Sequence, residues 1–244
     1  MTFATDSRAV VSPSLLNSVD TKKRELSGHF KNSGTRCDLS PRLVNDHDFR
    51  SDSTGVATPY GIYNLLANRG SVVVGVSHDT PTFAAHAVAH WWRQEGSLRY
   101  PRSRQILILS DTGGSNGYRC RAWKTELQSQ LADSHGLTLT VAHYPTGASK
   151  WNPIEHRLFS QTSKNWAGES LNSYHKILHF IRSTRTQPGL SVSAHLGPAQ
   201  DLHRNNFKHS ASSPTQPCEI VFASILCSSP ALCLDHTNRE SEHL

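Results

Sequence analysis

The chain has 244 residues, is 36% hydrophobic and carries Lys+Arg 25 against Asp+Glu 19, a net charge of +6. That apolar content suffices for one sizeable domain with a core, and no apolar run approaches the roughly 20 residues that cross a bilayer, so no transmembrane helix is expected. The opening "MTFATDSRAVVSPSLLNS" lacks the basic start and long apolar centre of a secretory signal, and Cys37, Cys120, Cys218, Cys227 and Cys233 form no CxxC pair, so the chain is expected to be a cytoplasmic protein with reduced thiols.

In chain order, residues 15–30, "LLNSVDTKKRELSGHF", read as a strand, a charged turn and a second strand, the first weakened by Asn17. Residues 31–58 are polar and rich in Gly, Ser and Asp, and are expected to be loop. "YGIYNLLANRGSVVVGVS" supplies two further β segments with a turn at Asn68–Gly70. A helix starts at Thr80–Pro81, as N-cap and first helical residue, and turns Phe83, Ala87, Val88 and Trp91 inward. "RQILILSD" is a short apolar strand ending in Asp111, the pattern of a buried central strand. "GGSNG" turns sharply into a helix from Tyr118 to about Ser134, along which Trp123, Leu127 and Leu131 repeat at i+4. "LTLTVAHYP" is the next strand. The stretch "WNPIEHRLFS" opens another helix with Asn152 as N-cap and Pro153 in the first position, and a last helix spans about Leu171 to Ser183. The order β-β-β-α-β-α-β-α predicts an α/β fold, a mixed β-sheet flanked by helices. After about Leu196 the periodicity fades into Ser, Pro, His and Cys, with one apolar run, "IVFASILC".

Several carboxylates stand where chemistry is done. Asp111 lies at the carboxyl end of a buried strand, where ligand sites of open α/β sheets gather, although an Asp can also simply cap a glycine turn. Glu155 falls inside the apolar stripe of Ile154, Leu158, Phe159, Thr162 and Trp166. A capping box with Asn152 explains its identity but not its apolar company, since a buried carboxylate needs a partner or a metal. Asp20 and Asp79 each follow an apolar strand and compete for a third place. Converging carboxylates with no Ser or Cys nucleophile elbow and no phosphate loop suit oxygen-ligated Mg²⁺, and two such ions can clamp a phosphodiester. His86 and His90, at i and i+4, offer half of a zinc site as a rival. Residues 1–196 hold 22 basic against 14 acidic groups, a balance that suits a polyanionic partner.

Five stretches together resemble a known family: "SVDTKKRELSGHFKN" (18–32), "VNDHDF" (44–49), "PYGIYNLLANRGSVVVGVSHDTPTFA" (59–84), "ILILSDTGGSNGYRCRAWKTELQ" (106–128) and "HYPTGASKWNPIEHRLFSQTSKNWAGESL" (143–171). They are similar to the Rhodopirellula-type DDE transposases of insertion sequences. The resemblance implies a ribonuclease-H-like catalytic domain over 18–196 that cleaves DNA and transfers strands at transposon ends. It implies two Mg²⁺ ions, for which Mn²⁺ can substitute, held by Asp20 on the first strand, Asp111 after the fourth and Glu155 on the following helix. It chooses Asp20 over Asp79. Lys22, Lys23, Arg24, Asn116, Lys150, His156 and Arg157 are the expected nucleic-acid contacts, with a solvated basic surface as their alternative. The implied partners are transposon-end and target DNA and further copies of the chain in a synaptic complex, in a bacterial cytoplasm and on the nucleoid.

Two departures from the family pattern shape the remaining expectations. Only a divergent lead, 1–17, precedes the first catalytic strand, where a helical DNA-reading region is usual. The pattern ends at "GLSVSAHL" (189–196), leaving 197–244 as an irregular tail. The chain is therefore expected to be a truncated copy, with a catalytically inactive remnant that binds DNA without sequence preference as the alternative reading.

Overall fold

The computed structural model describes residues 15–46, 50–198 and 220–224. Residues 1–14 of the expected lead, and 199–219 and 225–244 of the expected tail, lie outside the described residues. The strands are β1 (Leu16–Thr21), β2 (Glu25–Ser27), β3 (Gly55–Asn64), β4 (Arg69–Gly75), β5 (Gln105–Ser110), β6 (Thr138–His143), β7 (Ser191–Leu196) and β8 (Ile220–Ser224). The helices are α1 (Pro81–Trp91), the short α2 (Ser97–Arg99), α3 (Arg121–Leu127), α4 (Ser160–Asn165) and α5 (Tyr174–Ser183).

Seven strands stand in the order β7-β4-β3-β1-β5-β6-β8, and β2 pairs β3. β1, β3 and β4 form an antiparallel meander, which β5 and β6 extend in parallel from β1. This is the ribonuclease-H-like topology, a mixed sheet flanked by helices. Because β2 intervenes between β1 and β3, Asp111 follows the fifth strand in chain order rather than the fourth. β7 joins β4 in parallel; "SVSAHL" alternates polar Ser191, Ser193 and His195 with apolar Val192, Ala194 and Leu196, a strand period outside the elements expected from the sequence. β8 joins β6 in parallel, so five residues of the expected irregular tail are an edge strand.

Local rules place several elements where the sequence puts them. Thr80 caps α1, its hydroxyl accepting from the Phe83 amide at 3.1 Å, and Pro81 opens the helix. β3 starts five residues before Tyr60, inside the stretch read as loop, and runs through Pro59. The Pro59 carbonyl accepts from the Lys22 amide at 2.9 Å, on the side where the chain leaves β1 for β2. The nitrogen of Pro59, which has no hydrogen to give, faces that same break in the ladder. The turn between β3 and β4 falls at 65–68, where Asn68 takes a φ of 48°, rather than at Asn68–Gly70.

Each face of the sheet has its own core. On one, Val19, Tyr60, Ile62 and Ile108 pack against α1 and against Trp123, Leu127 and Leu131 of α3 and its continuation. On the other, Tyr63, Val72 and Val74 meet Ile154, Leu158, Phe159 and Trp166, with Ile177 and Ile181 of α5. Among the described residues no helix is long and apolar enough to cross a membrane.

Candidate active site

The site is built from the sheet outward. β1 and β5 run side by side in parallel, with Val19 opposite Ser110, so Asp20 and Asp111 leave the carboxyl ends of neighbouring strands together. Asn17, which weakens β1 by propensity, is buried and held between Asn64 of β3 and Ile108 of β5. Two-sided pairing overrides the local preference.

Glu155 arrives on a helix that packs on the sheet face to which Ser18 and Gly61 point. Its helix begins at Pro153 and winds as a π-helical turn over Glu155–Phe159 before α4. Ile154, Leu158, Phe159, Thr162 and Trp166 are all buried, as their stripe predicts, whereas Glu155 is half-buried. Gly61, the β3 partner of Asp20, makes room for this helix. A Cβ on Gly61 would lie 2.7 Å from the Phe159 ring and 2.9 Å from Ile154 Cδ1.

The carboxylates feel one another. Burial, followed by repulsion from Glu155, Asp111 and Asp79, raises the Asp20 carboxyl from 3.8 to about 7, against the pull of the Thr21 amide. Burial is also the main cause that raises Glu155; Lys22 and His156 oppose it and Asp111 adds to it. Asp79 is raised by burial against the Ser115 and Thr21 hydroxyls and Arg24, and its Oδ1 is buried without a hydrogen-bond partner. Asp20, Asp79 and Asp111 line one cleft of about 410 Å³ with Lys23, Arg24 and Ser115. The rivals Asp20 and Asp79 thus share a cleft.

Hydrogen bonds fix the Asp20 carboxylate at both oxygens. Oδ1 accepts from the Thr21 amide at 2.7 Å, and Oδ2 from Asn152 Nδ2 at 2.9 Å. Asn152 Oδ1 accepts in turn from Ser18 Oγ at 2.5 Å. Asn152 is therefore not the side-chain N-cap that its position suggests; only its backbone carbonyl serves the helix, accepting from the Glu155 amide at 3.2 Å. The local signal for a polar residue at 152 was legible, but its real partners, Ser18 and Asp20, lie more than 130 residues away and left none.

The glycine turn after Asp111 is pinned from two sides. Asn116 is buried, and its Oδ1 accepts from the Tyr60 hydroxyl at 3.0 Å and from Ser115 Oγ at 3.1 Å. Its carbonyl accepts from His143 Nε2 at 3.0 Å, an arrangement that needs the proton on Nε2. Burial lowers the His143 pKa, in keeping with a neutral ring. Burial, with Asp20 and Asp79 nearby, raises that of Tyr60, which stays a phenol and a donor.

The expected DNA contacts divide by exposure. Lys23, Arg24, Lys150, His156 and Arg157 are exposed. Lys22 is buried, its ammonium 2.6 Å from Glu25 and 4.8 Å from the Trp166 ring centroid, so it is engaged within the protein. Asn116 is likewise engaged, as described above. A second groove of about 900 Å³ shares Lys22, Lys23 and Arg24 with the cleft and runs on to Ser33, Ser163 and Trp166. Lys150 lies over Trp151, which is 63% exposed at the head of the Glu155 helix.

The donor set in the cleft consists of carboxylate oxygens, one of them a buried orphan, and this chemistry fits a hard divalent cation. Among the described residues no three His, Cys, Asp or Glu side chains are already gathered as metal ligands. His86 and His90 stand on α1, where His195 of β7 approaches His90 with ring centroids 4.8 Å apart. Burial, with His195, His86 and Arg93, lowers His90 to about 4.

No curated protein matches the chain. Among solved structures it is similar to the Mos1 transposase paired-end complex with left transposon end, at 13% identity and a TM-score of 0.49, covering 70% of this chain and 47% of that one. It is also similar to the Mos1 mariner paired end complex with Mn, at 12% identity and a TM-score of 0.45, covering 69% and 47%. The Mos1 strand transfer complex gives 13% identity and a TM-score of 0.46, covering 69% and 46%. The chain spans about half the length of these transposases. The model of the Rhodopirellula transposase DDE domain matches residues 6–211, most of the chain and more than the 18–196 read from motifs. The chain belongs to the Rhodopirellula transposase DDE domain family.

Proposed function

We propose that this chain cleaves DNA and transfers the cut strand at transposon ends, with Asp20, Asp111 and Glu155 as its carboxylate triad. The observation that carries the proposal is the convergence of Asp20 and Asp111, from adjacent parallel strands, with the field of Glu155 from the helix packed over Gly61. Their oxygens would hold Mg²⁺, as two ions, with Mn²⁺ as a substitute. Bound there, such ions would supply Lewis-acid charge stabilisation for phosphoryl transfer.

The chain's own residues do the rest. Asp20 is held at both oxygens and keeps lone pairs free for the cleft. The Asn116 turn keeps Asp111 at the end of β5. Lys23 and Arg24, on the rim shared by cleft and groove, suit phosphates of a strand laid along it. Lys150, His156 and Arg157, exposed and flanking Glu155 in the chain, would add further phosphate contacts. Two copies would bring two DNA ends together in a synaptic complex.

The test is cleavage and strand transfer by the full chain on DNA carrying the ends of its own element, with Mg²⁺ or Mn²⁺. Activity is expected, and is expected to vanish in the Asp111→Asn, Glu155→Gln double variant. Activity that survives the double substitution overturns the assignment. DNA binding without cleavage by the unsubstituted chain would instead identify the inactive remnant.

A further inference from the structure

Asn152 does more than begin a helix. It is 0% exposed, yet neither polar atom of its side chain serves the helix it precedes. Nδ2 donates to Asp20 Oδ2 at 2.9 Å and Oδ1 accepts from Ser18 Oγ at 2.5 Å. The Asp20 carboxylate settles which end of the amide is which, because an ionised carboxylate only accepts and so faces the NH₂ group, leaving the amide oxygen to take the proton of the Ser18 hydroxyl. The backbone carbonyl of the same residue takes the Glu155 amide at 3.2 Å. One residue thus grips the carboxylate of β1 and the first turn of the helix that carries Glu155.

Its chemistry suits the task. An amide gives Asp20 a donor without a positive charge, so the carboxylate is oriented but not neutralised. A lysine in the same place would form an ion pair that competes with a cation, and an aspartate would add repulsion.

We infer that Asn152, locked by Ser18, is a positioning residue that sets the Asp20 carboxylate relative to Glu155 and holds the pair ready for a divalent cation. This rests on the carboxylate-triad reading above. Residues that orient a metal ligand from behind typically change metal affinity by about 10- to 100-fold when removed.

The experiment titrates the full chain and its Asn152→Ala and Ser18→Ala variants with Mn²⁺ by calorimetry, and measures DNA cleavage over the same Mn²⁺ range. Asn152→Ala is expected to weaken Mn²⁺ binding by about 10- to 100-fold, and Ser18→Ala by a smaller factor. Cleavage by both should recover at high Mn²⁺, which a merely structural defect would not allow. Metal-free melting and circular dichroism report whether each variant folds. If Asn152→Ala does not fold, Ser18→Ala decides the matter. Unchanged Mn²⁺ affinity in the folded variants overturns the inference. Asp111→Asn separates the two claims: if it abolishes cleavage while the Asn152 and Ser18 variants bind Mn²⁺ normally, the triad stands and the positioning role falls. If Asp111→Asn cleaves normally, the triad itself falls.

Discussion

Asn152 Nδ2 reaches Asp20 Oδ2 at 2.9 Å across 132 residues of sequence, tying the central strand to the head of the Glu155 helix. The bond leaves Asp20 half-buried among like charges, and that placement has consequences that can be measured.

The first concerns pH. Folding raises the Asp20 carboxyl from 3.8 to about 7, chiefly by burial and then by the neighbouring carboxylates. The folded chain therefore holds this proton more tightly than the unfolded one. The associated stability is complete below about pH 4 and is lost as pH rises through about 7. Asp20→Asn removes the dependence, so the stability of the variant relative to the unsubstituted chain should climb between about pH 5 and about pH 8, by on the order of 1–3 kcal/mol. Urea denaturation without added metal measures it. A difference that stays flat across this range would contradict a repelled Asp20.

A cation should relieve the same repulsion. Metal-free protein is expected to melt at a lower temperature than protein in Mg²⁺. The gain is about 2.7 kcal/mol at a concentration 100 times the dissociation constant. Below about pH 7 a proton on Asp20 competes with the cation, so the Mg²⁺ needed should rise as pH falls. Calorimetric melting across millimolar Mg²⁺ tests this, and a melting temperature indifferent to Mg²⁺ counts against an assembled site.

Gly61→Ala probes the close approach that brings Glu155 to the sheet. The new Cβ would press on the Phe159 ring and Ile154 Cδ1. Overpacking of this kind costs about 1–3 kcal/mol. Cleavage should fall as well, because relief of the clash moves the helix that bears Glu155. A variant as stable and active as the unsubstituted chain would show that the helix does not depend on this contact.

The Tyr60 hydroxyl donates to Asn116 within the core beside Asp20. Tyr60→Phe leaves that buried acceptor with Ser115 Oγ as its remaining donor, at a cost of about 0.5–1.5 kcal/mol. The loss should appear in the denaturation midpoint with the slope unchanged.

DNA affinity separates charge from stacking. Lys23→Ala and Arg24→Ala should each lower the slope of log affinity against log salt by about one. Trp151→Ala should instead weaken binding to single-stranded DNA by about 1–3 kcal/mol with little change in slope. Filter binding over a salt series distinguishes them.

Much of this molecule was legible in the chain alone. Thr80 and Pro81 mark a helix start through their own backbone geometry. "RQILILSD" announces a buried strand and places Asp111 at its end. The stripe from Ile154 to Trp166 declares which face of its helix meets the sheet. These signals are local: a cap, an apolar run and a period depend on neighbours a few residues away. The motifs around Asp20, Asp111 and Glu155 also pointed to the family that the chain proved to match.

Other features depended on partners remote in sequence. Asn17 made β1 a poor strand on propensity, yet pairing with β3 and β5 on both sides holds it at the centre of the sheet. "SVSAHL" and "IVFAS" take their places in the sheet beside β4 and β6, strands remote from them in sequence. Asp79 and Asp20 looked like alternatives, and a shared cleft makes them neighbours. Asn152 read as a helix cap; the fold turned its side chain toward Ser18 and Asp20. The sequence by itself determined where α1 starts, which face of the Glu155 helix is apolar and that Asp111 ends a buried strand, because caps and periodicities act within a turn or two of chain. Only the tertiary structure decided how those carboxylates are held, because a hydrogen bond between distant residues exists only after the sheet and its covering helix have packed together.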